Sequence, residues 1–327
     1  MTPQRKQNHT PMRTTARRWS GLLLLLLGAG GLFAQQDPQF TQYMFNLLAL
    51  NPAYAGSAER VSIKGLTRHQ WVGFEGAPMT QTLTVHSPVW HQSLGVGGTI
   101  MRDEHGPVTQ YGIMVDLAYR MFLGGDNKLA FGLKGGVNLI QGDFAALNPL
   151  QANDQVFQQN VSTKTDPQFG FGVMYYGERF YLGLSTPKLL RTEFFDDIGV
   201  RDTTSLNAFQ QGQKPHYFLS GGYVWDLGDY MKFKPTFLVK AVDGAPLSFD
   251  LSANFLFYEK FWLGAMYRHT DAVGLLAQYH ITDDLSVGYA YDYPLSPLRN
   301  YSGGSHEFML GFEFGNKLKG IRSPRYF

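Results

Sequence analysis

A serine beside a histidine, clustered glycines, single histidines and charges of both signs are the residues here from which chemistry could be built. His91-Gln92-Ser93 sets an imidazole near a hydroxyl, the start of a hydrolytic pair. It falls on a tight turn with no acidic partner nearby, so nothing would orient the base. Gly95–Gly98 and Gly132–Gly136 resemble phosphate-cradling loops, yet both sit inside alternating runs. Small residues there relieve crowding in a curved sheet. His69, His86, His216, His280 and His306 lie on separate runs, and no spacing joins them into a metal ligand set. There is no G-x-S-x-G, Walker loop, H-E-x-x-H or EF-hand spacing. The expectation is a chain with no catalytic residues, no metal and no cofactor.

The charges are more informative. Lys64, Arg68, Asp116, Arg120, Lys134, Lys232, Lys234, Asp250, Asn254, Arg268, Asp292, Glu307 and Glu313 all fall opposite the apolar face of an alternating run. Both signs occur together. A selective ion pore would carry one sign at its constriction, whereas mixed signs suit a salt-bridged, filled interior. Unconnected charges in a wet lumen are the competing reading.

The elements that must position these charges are strands. Apolar residues alternate with small or polar ones almost without break from Arg60 to Gly315. Leu285, Val287, Tyr289, Tyr291 and Tyr293 interleave with Ser286, Gly288, Ala290 and Asp292. About fourteen such runs occur, each near the length of a tilted membrane strand. They begin near residues 60, 79, 93, 107, 128, 167, 179, 215, 230, 246, 260, 271, 284 and 305. Connections after even-numbered runs are tight and rich in Gly and Asp. The long ones, 142–166, 186–214 and Pro294–Gly304, all follow odd-numbered runs. An outer-membrane barrel sorts its periplasmic turns and outer loops in this way, and an even count places both termini in the periplasm. Trp90, Phe122, Tyr175, Tyr176, Phe180, Tyr181, Trp225, Tyr230, Tyr258, Phe261 and Trp262 flank the short turns as an interfacial girdle would. The fold expected is all-β, a transmembrane antiparallel β-barrel of about fourteen strands. A soluble β-sandwich array is the competing architecture.

Residues 1–34 read as a signal peptide. Arg5, Lys6, Arg13, Arg17 and Arg18 precede the apolar Leu22–Leu27 stretch, and Ala34 is the expected last residue before cleavage. The chain has 28 Lys plus Arg and 26 Asp plus Glu; without the five basic leader residues the balance is 23 minus 26, or −3. The overall basicity is thus no argument for nucleic acid. There are no cysteines, which excludes disulfides, thiolate metal sites and a lipid-anchored start.

Residues 35–59 form a separate segment ahead of the barrel at 60–315, and 316–327 form a basic tail. Asp37 can cap a helix beginning at Pro38, with Phe40, Tyr43, Met44, Leu47 and Leu48 on one face and Asn51-Pro52 as its stop. Such a short apolar helix needs a burial site. It is expected to plug the periplasmic mouth of the barrel.

The segment QQDPQFTQYMFNLLALNPAYAG, directly after a signal peptide and before about fourteen strands, resembles the PorP/SprF family of Bacteroidota outer-membrane proteins. The residues that carry the resemblance are Asp37, Pro38, Gln39, Phe40, Gln42, Tyr43, Asn51, Pro52, Ala53, Tyr54, Ala55 and Gly56. His69-Gln70-Trp71, Gly76-Ala77-Pro78 and the terminal Ser323–Phe327 add to it. The resemblance implies a non-enzymatic barrel of the type IX secretion and gliding machinery. It implies secreted, adhesin-like partners with a C-terminal sorting domain, and links to periplasmic peptidoglycan-associated or motor-ring proteins. Phe157, Leu189, Leu190, Phe194, Phe195 and Phe209 would then face cargo on the outer loops, and Arg322, Arg325, Tyr326 and Phe327 would contact periplasmic partners. A passive or gated transporter of small or hydrophobic substrates is the alternative function.

Overall fold

The computed structural model describes residues 38–58, 60–89, 93–143, 161–190 and 214–315. Fourteen strands form one antiparallel sheet that closes on itself. They are β1 Val61–His69, β2 Met79–Val89, β3 Leu94–His105, β4 Val108–Gly124, β5 Asn127–Gly142, β6 Val161–Tyr176 and β7 Phe180–Thr186. β8 is His216–Tyr223, continued beyond Val224 as Trp225–Asp226. Both pieces hold one register on the next strand, with Gly222 opposite Thr236 and Trp225 opposite Phe233, so they count once. Then come β9 Met231–Val242, β10 Ser248–Phe257, β11 Phe261–Arg268, β12 Ala272–His280, β13 Leu285–Pro294 and β14 Ser305–Phe314.

β1 pairs with β14 from Val61 opposite Phe314 to His69 opposite His306, and this seam closes the barrel. Closure matters physically because an open edge would leave unpaired N–H and C=O groups in hydrocarbon. Burial alternates along the strands. In β4, Ile113, Val115, Leu117 and Tyr119 are exposed outward while Met114, Asp116, Ala118 and Arg120 are buried inward. No described helix is long and apolar enough to cross a membrane, so any crossing belongs to the strands.

The tight turns gather at one end, as the loop pattern predicts. Gly124 and Gly125 (φ 97° and 59°) close β4 to β5. Tyr258 and Glu259 take φ of 52° and 56° between β10 and β11, a left-handed pair in a position that favours Asn-Gly. The opposite end bears the longer connections, although β3 and β4 meet there through only Gly106-Pro107.

The aromatic girdle needs one correction. Tyr175, Phe180, Trp225, Tyr230, Tyr258 and Phe261 lie outward near the short turns, but Tyr176, Tyr181 and Trp262 are buried inside. Each is in phase with an inward neighbour, as Tyr176 is with Met174. Trp90 lies outside the described residues.

The N-terminal segment fills the lumen, but not as the expected helix. It forms three 3-10 turns, Tyr43–Phe45, Leu47–Ala49 and Pro52–Tyr54. Pro38 opens no helix, and Asp37 lies outside the described residues. Asn51-Pro52 starts the third turn rather than stopping a helix, with Asn51 Oδ1 accepting from Ala53 N at 2.9 Å. Phe40–Leu48 are buried without a gap, so there is no polar face to keep in water. A segment enclosed on all sides does not need the 3.6-residue stripe of a surface helix. Its carbonyls find partners on the barrel wall instead of four residues along.

Candidate functional site

The plug and the wall around it are the most constructed part of the molecule. At the long-loop end, Glu307 accepts from the backbone N–H groups of both Thr41 and Gln42, each at 2.8 Å. Thr41 Oγ1 donates to Asp292 Oδ2 at 2.6 Å. Arg68 binds Asp292 through Nη2 at 2.7 Å and Glu307 through Nη1 at 3.2 Å. Arg268 reaches Asp250 at 3.2 Å and Asp292 at 3.5 Å, and its Nη2 donates to Phe40 O at 3.4 Å. All five charged groups are buried. Buried charges of this kind need pairing and hydrogen bonds, and the plug backbone supplies part of these to Glu307 and Arg268.

Deeper in the lumen the pattern inverts, and cations meet plug carbonyls. Lys64 Nζ donates to Phe45 O, Lys134 Nζ to Leu48 O at 3.3 Å and Arg120 Nη1 to Gly56 O. Lys134 also pairs with Asp116 at 3.2 Å. Lys234 Nζ lies 3.5 Å from Met44 O, over the rings of Phe45 and Trp262 at 5.0 and 5.3 Å from their centroids. Ser185 Oγ donates to Leu50 O at 2.8 Å. These bonds satisfy carbonyls that short 3-10 turns leave open.

Apolar packing and glycine make the fit. Tyr43 reaches Thr236 through its hydroxyl at 2.9 Å, and Tyr54 stands edge-on to His86. A Cβ on Gly132 would lie 2.1 Å from Ala53 N, one on Gly172 2.0 Å from Asn51 Oδ1, and one on Gly95 2.1 Å from Ala55 O. Gly95 and Gly132 therefore admit the plug backbone, beyond the sheet-crowding role expected of them. Gly136, where a Cβ would lie 2.1 Å from Ile113 O, keeps that role. A cavity of about 60 Å³ remains beside the plug, lined by Pro38, Phe40, Leu50, Met114 and Phe218 among others.

The structure brings together Phe40, Tyr43, Asn51, Pro52, Tyr54 and Gly56, all buried against the wall, with Pro38 and Gln39 half-buried above them. The segment is not confined to the short-turn mouth. It runs from Glu307 near the long-loop end to His86 and Gly95 near the short turns. His86 serves the plug, accepting from Gly56 N at 3.1 Å. Nearly all the charges expected inward are there, with Lys232 and Glu313 at the short-turn rim, Glu313 paired with Arg60 at 2.9 Å. Among the described residues no cluster of three or more His, Asp or Glu could hold a metal. His91-Gln92 lies outside those residues, as do Phe157, Phe194, Phe195, Phe209, Arg322, Arg325, Tyr326 and Phe327.

Leu189 and Leu190 are exposed at the long-loop end. The sequence pattern did not show a second feature there. Trp71 holds φ of 44°, strained for a bulky residue, and turns the chain so that Val72 N bonds Gly304 O at 2.8 Å and Gly303 N bonds Val72 O at 2.7 Å. Gly106 N bonds Gly76 O at 3.0 Å on the other side of the same loop. The knitted loops leave Val72, Phe74 and Tyr301 exposed. The Gln70-Trp71 motif between a strand end and Gly76-Ala77-Pro78 was the available signal.

A search of the curated proteins finds no match. Solved barrels are similar only in outline. The outer membrane protein Omp33 of Acinetobacter baumannii is 10% identical with a TM-score of 0.46, over 78% of this chain and 98% of that one. A Pseudomonas aeruginosa FadL homologue is 12% identical with a TM-score of 0.40, over 85% and 94%. The sequence profile of the type IX secretion system membrane protein PorP/SprF matches residues 32–312, which takes in the plug and nearly every strand. By that match, and with the closed fourteen-stranded barrel that accompanies it, the chain belongs to the PorP/SprF family of type IX secretion membrane proteins.

Proposed function

We propose that this outer-membrane barrel is a sealed docking platform rather than a conduit. Its outer, long-loop end binds and retains a secreted surface protein bearing a C-terminal sorting domain. Its short-turn end faces the periplasm, where the tail Asn316–Phe327 would meet peptidoglycan-associated or motor-ring components. The barrel itself does no covalent chemistry.

The observation that carries this reading is the filled lumen. A transport path would have to break the buried contacts of Thr41 with Glu307 and Asp292, whereas a docking function leaves them intact. The exposed Val72, Phe74, Leu189, Leu190 and Tyr301 add apolar side chains to a rim that would otherwise favour water.

Crosslinking in native membranes followed by purification tests the proposal. A secreted protein with a C-terminal sorting domain should co-purify, and its yield should fall when Phe74 and Tyr301 are changed to Asp. Bound lipid with saturable uptake, and no secreted partner, would instead establish the transporter reading.

A further inference from the structure

The plug has a direction, and the direction is opposite to the one its position ahead of β1 suggests. β1 starts at the short-turn end, so a segment just before it could simply lie in that mouth. It does not. Thr41 is held by Glu307, the third residue of β14 from its long-loop end, and by Asp292, two residues short of the same end of β13. Phe40 O is reached by Arg268, the last residue of β11 at that end. The chain then descends through Tyr43 at mid-strand Thr236 and rises again at Leu50. It ends with Gly56 between His86 and Gly95, near the short turns. A nine-residue strand such as β1 rises about 30 Å, so residues 41–56 traverse most of the barrel.

We infer that the N-terminal end of the plug faces the cell exterior, with the half-buried Pro38 and Gln39 at the outer mouth of the barrel. The inference rests on the proposed orientation, with the short turns in the periplasm. It departs from the simple expectation that both termini are periplasmic. The two parts of the family segment then do different things. Phe40 onward seals the lumen, and Pro38 and Gln39 belong to the outer mouth.

The absence of cysteine makes the test direct. Single variants Pro38→Cys and Gln39→Cys are compared with Tyr301→Cys on the long-loop rim and Thr282→Cys on a short turn. Intact cells are treated with a membrane-impermeant maleimide, and parallel samples are permeabilised or unfolded. Each variant is first checked for barrel formation by its heat-modifiable mobility on gels. P38C or Q39C should label on intact cells to at least half the extent of Y301C, with T282C silent until the outer membrane is opened. If Y301C labels and both plug variants stay silent on intact cells, the inference is overturned while the orientation stands. If T282C labels on intact cells and Y301C does not, the orientation itself fails and the inference falls with it. Should neither plug variant form a barrel, an epitope tag inserted before Pro38 and probed with antibody on intact and on permeabilised cells decides in the same way.

Discussion

Arg68 and Glu307 stand directly opposite each other on the first and last strands, and their ion pair spans the seam at 3.2 Å. Both also grip Thr41: Arg68 donates to the threonine hydroxyl at 2.8 Å, and Glu307 accepts from its N–H at 2.8 Å. Closing the barrel and seating the plug thus use the same side chains. Changing Arg68 to Met would leave Asp292 and Glu307 buried with one cation fewer. The expected loss is about 3–5 kcal/mol, the usual cost of breaking a buried pair from one side. The midpoint of urea unfolding in detergent or lipid checks it, and adding Asp292→Asn should recover part of the loss.

Lys234 should behave differently. It lies over Phe45 and Trp262 and meets Met44 O only at the hydrogen-bond limit, 3.5 Å. Replacing it by an apolar group of similar size removes the cost of burying a charge together with its contacts. Lys234→Met is therefore expected to lose less stability than Arg68→Met, which leaves two carboxylates short of a cation. A loss as large as that of Arg68→Met in the same unfolding series would show that its bond to the plug outweighs its desolvation.

The glycines offer a way to unseat the plug without touching it. Gly132→Val and Gly172→Val place carbons where Ala53 N and Asn51 Oδ1 now lie, 2.1 and 2.0 Å from the ideal Cβ. Backbone and a capped turn cannot yield as a flexible side-chain tip would. The variants should still insert, because the outward face is unchanged, but should pass current in planar bilayers where the unaltered chain shows no large stable pore. An unaltered chain that conducts steadily would sink the sealed-lumen reading.

Removing residues 191–213 should abolish retention of the secreted partner while leaving the heat-modifiable barrel in place. Cell-surface immunodetection of the partner provides the readout. Retention at the normal level would move the docking surface to the knitted loops around Trp71 and Gly303.

The strands were legible because their evidence is local: alternation along each run shows which face meets lipid. The same parity placed Arg68, Asp250, Asp292 and Glu307 inside. It could have placed Tyr176, Tyr181 and Trp262 there too, had phase outweighed nearness to a turn. Pairings were not legible, since Arg68 finds Asp292 across 224 residues through a register no single strand encodes. The plug was legible as buried but not as 3-10 turns. Lys64, Lys134 and Ser185 take its carbonyls from distant strands and remove the advantage of helical bonds. Gly95 and Gly132 looked like sheet relief because what they make room for comes from elsewhere in the chain.

The run of the segment from Thr41 down to Gly56, continuing into β1 at Val61, makes it a stopper on a short leash. The leash is fixed at the short-turn rim, so the plug stays attached to the wall it seals even when its buried contacts let go. A stopper tied to its own vessel can reseat after opening, which a separate plug molecule could do only by binding again.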